Sequence, residues 1–166
     1  MRYFFDTEFM EDGVTIELLS IAIVAEDGRE FYRVNADADL DKANDWVIEN
    51  VFPELMKATD EDLMHKQMIA RDIREFVGEY PEFWAYYSDY GWVVMCQLFG
   101  TMMDLPLGWP KFCLDVKQYA FSLGNLALPE QTTTEHHALY DARWTKDAFD
   151  YCSRISTWMA MQYERE

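Results

Sequence analysis

Residues 1–9 read MRYFFDTEF, and this stretch decides how the rest of the chain is read. Tyr3, Phe5, Thr7 and Phe9 share one parity, and Phe4, Asp6 and Glu8 share the other. Successive side chains of a strand leave on opposite faces, so a short aromatic strand would present Asp6 and Glu8 on one face and send Thr7 to the other. Strand rise separates the two positions by about 6–7 Å. Two such carboxylates can bracket a divalent cation, but buried without one they cannot easily both stay ionised.

Outward from this stretch, TIELLSIAIVA at 15–25 is rich in aliphatic and β-branched residues, EDG at 26–28 is a turn signal, and REFYRV follows at 29–34. The pattern predicts three strands joined by tight turns, the last two as a hairpin. The period then changes. Ala43, Trp46, Val47, Val51 and Leu55 recur at helical spacing between 40 and 56, with Pro53 interrupting. Met64, Met68, Ile69, Ile73, Phe76 and Val77 predict a second helix over 62–77, stopped by Gly78. A strand at 82–87 (EFWAYY), a helix over 89–99 closed by Gly100, a strand at 112–116 (FCLDV), a short helix ending at Gly124 and a polar loop at 129–135 (PEQTTTE) come next. The last helix is expected over 137–163. It carries two apolar stripes, Ala138, Ala142, Thr145, Phe149, Cys152, Ser156 and Met159 beside Trp144, Ala148, Tyr151, Ile155 and Trp158. That face is wider than one core requires, which predicts packing against a second copy of the chain, a homodimer. The order of elements is that of an α/β domain with a mixed central sheet, expected to run over 1–166 without a boundary.

Composition narrows the class. The 166 residues are 50% apolar and 16% aromatic, against disorder. No apolar run reaches the roughly 20 residues of a membrane span, and no secretory signal pattern opens the chain, so no membrane is expected. Three cysteines without a CxxC pair favour a reducing, cytoplasmic setting. Fourteen basic against 31 acidic residues leave a net charge of −17. Such a surface does not coat or slide along nucleic acid. It suits a protein that recruits divalent cations, one that mimics DNA, or one merely kept soluble.

Two more acidic positions stand at element boundaries. Asp89, in YYSDYGW, follows an apolar strand near the first turn of a helix, where for an isolated Asp a plain capping role is the commoner reading. Asp141, in HHALYDARW, lies five residues after His136 at the start of the last helix. An imidazole in the loop can then hang over a cation ligated by the helix carboxylate, with His137 the competitor for that role. DTE at 6–8, Asp89, and His136-His-Ala-Leu-Tyr-Asp141 occur in the order found in a known family. In these motifs the chain resembles the DEDDh 3′→5′ exonucleases of the ribonuclease-H-like fold. HHALYDA is the most specific of the matches, and the QLFG and GWP segments look like the small mycobacterial-type exoribonuclease branch related to ribonuclease T. There are departures: Phe9-Met-Glu-Asp-Gly13 follows the first motif where many relatives carry Gly or Thr-Gly, and Tyr86 and Tyr87 stand where the second motif often has Asn.

The resemblance implies two Mg²⁺ or Mn²⁺ ions, with Asp6 bridging both and Glu8, Asp89 and Asp141 holding one or the other. It implies His136 as the group that takes a proton from the attacking water, and RNA 3′ ends as substrate with nucleoside 5′-monophosphates as product. Phe9 or Met10 is expected against the terminal base, and Arg143 or Lys146 against phosphate; for these the core and solvated-charge readings stand alongside. DNA or nanoRNA exonuclease activity within the same class, an acidic DNA mimic, and a relative without catalysis are the other readings.

Overall fold

The computed structural model describes residues 1–163. Its centre is a six-stranded mixed sheet in the order β4-β3-β2-β1-β5-β6. The strands are β1 (Arg2–Glu11), β2 (Ile16–Ala25), β3 (Glu30–Asn35), β4 (Leu63–Met64), β5 (Glu82–Ala85) and β6 (Leu114–Asp115). β1, β2 and β3 form an antiparallel meander, while β5 and β6 extend it in parallel beside β1, and β4 pairs in parallel with β3. The helices are α1 (Asp45–Asn50), α2 (Phe52–Leu55), α3 (Lys66–Val77), α4 (Ser88–Phe99), α5 (Val116–Ser122) and α6 (Ala138–Tyr163), with short 3₁₀ turns at Leu40–Lys42 and Met102–Asp104.

The parity of β1 distributes its side chains as alternation requires. Tyr3 and Phe5 enter a core with Ile69 and Ile73 of α3 and Val94 and Met95 of α4. Phe4 enters a second core on the other face, with Val116 of α5 and Ala148 and Phe149 of α6. Ala22 and Val24 of β2 meet Ala138 and Ala142 on that same face, where the small residues bring α6 close to the sheet. Asp6 and Glu8 share the parity of Phe4, so they continue the row that faces α6. Each of these buried aromatic side chains contributes about 1.5–3 kcal/mol.

The elements differ from the sequence expectations in places, each for a local reason. The helix expected over 40–56 is broken into a 3₁₀ turn, α1 and α2, with Asn44 capping α1 through Val47 N (2.9 Å) and Pro53 in the first turn of α2. Proline lacks the amide that would continue α1 but is tolerated at a helix start. α3 begins at Lys66 rather than 62, because Leu63–Met64 is taken by β4 and Asp37 Oδ2 accepts the Lys66 amide at 2.9 Å. The strands expected at 82–87 and 112–116 shorten to Glu82–Ala85 and Leu114–Asp115. Buried Asp115 explains both ends. Its carboxylate accepts the Ser88 amide (2.7 Å) at the start of α4 and the Gln118 amide (2.8 Å) at the start of α5. The first half of α6 buries both apolar stripes on the sheet, while Trp158 and Met161 near its end are exposed. No helix among the described residues is long and apolar enough to cross a membrane.

Candidate active site

Asp6 and Glu8 of β1 and Asp141 of α6 converge. One oxygen from each carboxylate lies within 4.8 Å of the others, closer than backbone rise alone places the two strand positions. The pairing of β1 with β2 shifts register between Glu8 and Phe9, an irregularity of the kind that re-aims side chains near functional sites. Asp141 stands in the first turn of α6, and Ala138 and Ala142, both without exposure, let that turn approach the strand. Gln131 Nε2 donates to Asp141 Oδ1 at 2.5 Å, which fixes that carboxylate from the polar loop.

Three carboxylates at this distance in a partly enclosed place repel one another. Burial, reinforced by the charge of Asp141, holds the Asp6 carboxyl well above the usual carboxylate range. Burial also pushes Glu8 up from 4.5 to about 9, helped by the charges of Asp6 and Asp141 and by a hydrogen bond with Asp141. Asp141 is raised by burial too, against the opposing hydrogen bonds from Gln131 and Glu8. The cluster is therefore short of positive charge. Hard oxygen donors packed this way suit Mg²⁺ or Mn²⁺ rather than a soft metal, so the donor set fits a divalent cation.

A stability prediction follows. Glu8 ionises near 4.5 when unfolded and near 9 when folded without metal, so its contribution is full below about 4.5 and is lost as pH rises towards about 9. The chelated protein is expected to lose melting temperature between pH 5 and 9, and Glu8→Gln, which stays neutral, to flatten that slope. At pH 8, Mn²⁺ at 100 times its dissociation constant adds about 2.7 kcal/mol, or roughly 5–10 °C for a chain of this size. Scanning calorimetry with EDTA and with Mn²⁺ checks both. A chelated wild type whose melting point holds steady across that window refutes the charge-deficit account.

A cavity of about 490 Å³ opens over the cluster, lined among others by Asp6, Glu8, Phe9, Trp46, His136 and Asp141. His136 precedes α6 with φ 64°, a left-handed backbone that is uncommon for a non-glycine residue and turns its ring towards this cavity. The Trp46 ring of α1 meets it edge-on at 5.0 Å. His137 goes elsewhere. It stacks on Tyr32 (4.9 Å) and Tyr140 (4.4 Å), and burial lowers its pKa.

The other expected residues divide. Phe9 lines the cavity and stacks on Tyr90 at 5.7 Å. Met10 is buried in a core with Leu19, Val47 and Val51, which corrects its expected place against a terminal base. Arg143 is committed to Glu30 through two hydrogen bonds of 2.7 and 2.6 Å, and Lys146 to Asp150 at 2.7 Å; neither lines the cavity. Asp89 is exposed on α4 and is not among the converging carboxylates. Trp46, Gln131, Tyr86 and Trp144 line the cavity and were not singled out in the sequence as site residues. Trp46 read there as one of a helix's apolar stripe and Gln131 as loop polarity, and no local signal distinguishes either.

The sheet order, the flanking helices and this acidic site define the class: the ribonuclease-H-like fold of the DEDDh exonucleases. Exonuclease I of E. coli in its zinc-bound complex with single-stranded DNA superimposes with a TM-score of 0.64 at 14% identity over 90% of this chain, which spans 42% of that larger chain. The nuclease domain of 3′hExo, a DEDDh family member bound to rAMP, gives a TM-score of 0.54 at 13% identity over 97% of this chain and 92% of that one. These similarities establish the fold. Within it, the model of the Rv2179c-like 3′-5′ exoribonuclease domain matches residues 1–153, and the chain belongs to that family. The 3′-5′ exoribonuclease Rv2179c of Mycobacterium tuberculosis H37Rv is 42% identical over 147 residues, 86% of this chain and 88% of its own. The 3′-5′ exoribonuclease MT2234.1 of the CDC 1551 / Oshkosh strain shows the same identity and coverage.

Proposed function

We propose that this protein is a metal-dependent 3′→5′ exoribonuclease that removes nucleoside 5′-monophosphates from single-stranded RNA 3′ ends or overhangs, with residues 1–166 acting as one catalytic domain. The observation that carries this reading is the convergence of three charge-deficient carboxylates with His136 in one cavity. Asp6, Glu8 and Asp141 hold the cation side of the site. Two bound Mg²⁺ or Mn²⁺ ions, which these carboxylates would hold, would supply charge neutralisation at phosphorus, a more acidic water and stabilisation of the leaving 3′-oxygen. A nitrogen of the His136 imidazole takes the proton of the attacking water, a task suited to histidine near neutral pH. Gln131 holds Asp141 in place by its 2.5 Å hydrogen bond.

Binding of RNA to a chain of charge −17 draws on local contacts rather than a basic surface. Exposed Trp46, Tyr87 and Tyr90, with Phe9 stacked behind Tyr90, rim the site as aromatic platforms, and a stacked base contributes about 1–3 kcal/mol. An acidic DNA mimic gains nothing from carboxylates drawn inward from its surface, and the placement of Asp6, Glu8 and Asp141 favours the enzyme. Cys96, Cys113 and Cys152 are all free thiols, which supports a reducing compartment such as the cytoplasm. Exposed Trp158 and Met161 on α6 support a homodimer, for which sedimentation velocity must find twice 19.7 kDa.

The deciding assay uses 5′-labelled single-stranded RNA and matched DNA with Mg²⁺, Mn²⁺ or EDTA. The expected result is a ladder that shortens from the 3′ end, stops with EDTA and runs faster on RNA than on DNA. A faster DNA ladder transfers the activity to a DNA exonuclease, and an intact substrate under every metal removes the proposal.

A further inference from the structure

Trp46 is a large apolar residue with no core to serve. Along the chain it shares a stripe with Val47 and Val51, but those two are buried with Met10 and Leu19, while Trp46 lies outside that cluster and is 54% exposed. Its helix is nevertheless held in place. Asn44 caps α1 through the Val47 amide, Val47 packs against Met10 of β1 and Leu19 of β2, and Asn50 Nδ2 donates to the Trp46 carbonyl at 2.8 Å. The indole therefore stands at a set position on the wall of the active-site cavity. What it meets there is the His136 ring, with 5.0 Å between centroids and 81° between planes.

On the far side of this contact the backbone is fixed and the side chain is not. The His137 carbonyl accepts the Tyr140 and Asp141 amides at 2.8 and 3.1 Å, and its Nδ1 accepts the Leu139 amide at 3.3 Å. Its ring is stacked on Tyr32 and Tyr140. One residue earlier, the φ of 64° at His136 sets the direction in which that side chain leaves the chain. Rotation about its two side-chain torsions is still open, and the second of them has a broad minimum in histidine. A neighbouring ring can select among those rotamers, because an edge-to-face pair favours its own geometry by about 2- to 12-fold.

We propose that Trp46 is a positioning residue for His136: its indole confines the imidazole to the poses that reach over Asp6, Glu8 and Asp141. This rests on His136 as the proton acceptor and deepens that reading. Proton transfer requires the accepting nitrogen within about 2.6–3.2 Å of the attacking water, so the fraction of molecules with the ring in place scales the rate directly. Trp46 at the rim also offers a face to a base, but the two roles act on different quantities. A base platform acts on affinity for RNA, and a wall for His136 acts on the rate once RNA is bound.

The test is single-turnover cleavage at saturating RNA by the wild type, Trp46→Leu, Trp46→Phe, His136→Ala and the double variant of Trp46→Leu with His136→Ala. Trp46→Leu is expected to lower the wild-type rate by about tenfold, and Trp46→Phe, which keeps a ring, to stay within about threefold of the wild type. In the His136→Ala background Trp46→Leu is expected to change the residual rate by less than about twofold, since a residue that acts through the imidazole has nothing left to act on. Equal losses in both backgrounds, or a loss confined to the RNA concentration for half-saturation, assign Trp46 to the RNA and overturn the proposal. A readout without turnover comes from the NMR signals of the three histidines, with His136 assigned by its loss in His136→Ala. Removing the indole ring current in Trp46→Leu is expected to move the His136 signals and leave those of His65 and His137 in place; unmoved His136 signals overturn the proposal. A Trp46→Leu protein that does not fold makes the residue structural and overturns it as well. RNA left intact by the wild type overturns the exonuclease reading and this proposal with it, a result that no behaviour of the Trp46 variants imitates.

Discussion

His136→Ala is expected to lower the rate of RNA shortening by about 10²- to 10⁴-fold while leaving Mn²⁺ affinity within about a factor of two of the wild type. On the proposed function the cation is held by Asp6, Glu8 and Asp141, and the imidazole lines the same cavity without belonging to that acidic group. Its loss therefore removes the proton acceptor and spares the binding site. Single-turnover rates and Mn²⁺ calorimetry on one preparation separate the two effects. His137→Ala is the control that gives the result its meaning. Stacked between Tyr32 and Tyr140, His137 serves packing, so its removal is expected to cost stability rather than rate in the protein that remains folded. Inactivation by His137→Ala with His136→Ala still active would shift the catalytic assignment by one residue.

Asp6→Asn is expected to act with opposite signs on activity and stability. Activity falls by about 10³-fold or more, because the central carboxylate of the group is lost together with the cation it helps to hold. Stability in the presence of chelator rises, because burial and the charge of Asp141 disfavour Asp6 as an anion. A melting temperature several degrees above that of the chelated wild type, with no gain on adding Mn²⁺, is the expected signature. An Asp6→Asn protein that still degrades RNA at the wild-type rate would refute the site.

Much of this arrangement was legible along the chain. The parity of residues 3–9 placed Asp6 and Glu8 on one strand face, and that face does meet α6, because alternation is enforced by backbone geometry whatever the partner. The meander β1-β2-β3 and the long α6 followed from period and turn residues. The two-residue strand β4 was invisible, since it exists only through its pairing with β3. Asp115 read as the end of a strand, yet it ties together the starts of α4 and α5, a role that requires two segments to arrive at one carboxylate.

The chain alone determined which chemistry was available: an acidic pair on a strand, His136 and Asp141 five residues apart before and in a helix, and an order of motifs that identified the family. The tertiary structure decided which of those groups meet. It separated His136 from His137, buried Met10, tied Arg143 to Glu30, and brought Trp46 and Gln131 to the site from distant segments. It also left Asp89 exposed and Gly91 buried. Local periodicity reports that a helix forms and which stripe is apolar, but the rotation of α4 against β1 is set by packing of Phe5, Thr7 and Trp92 across the interface. A two-residue difference along the chain thereby becomes the difference between an exposed and a buried position.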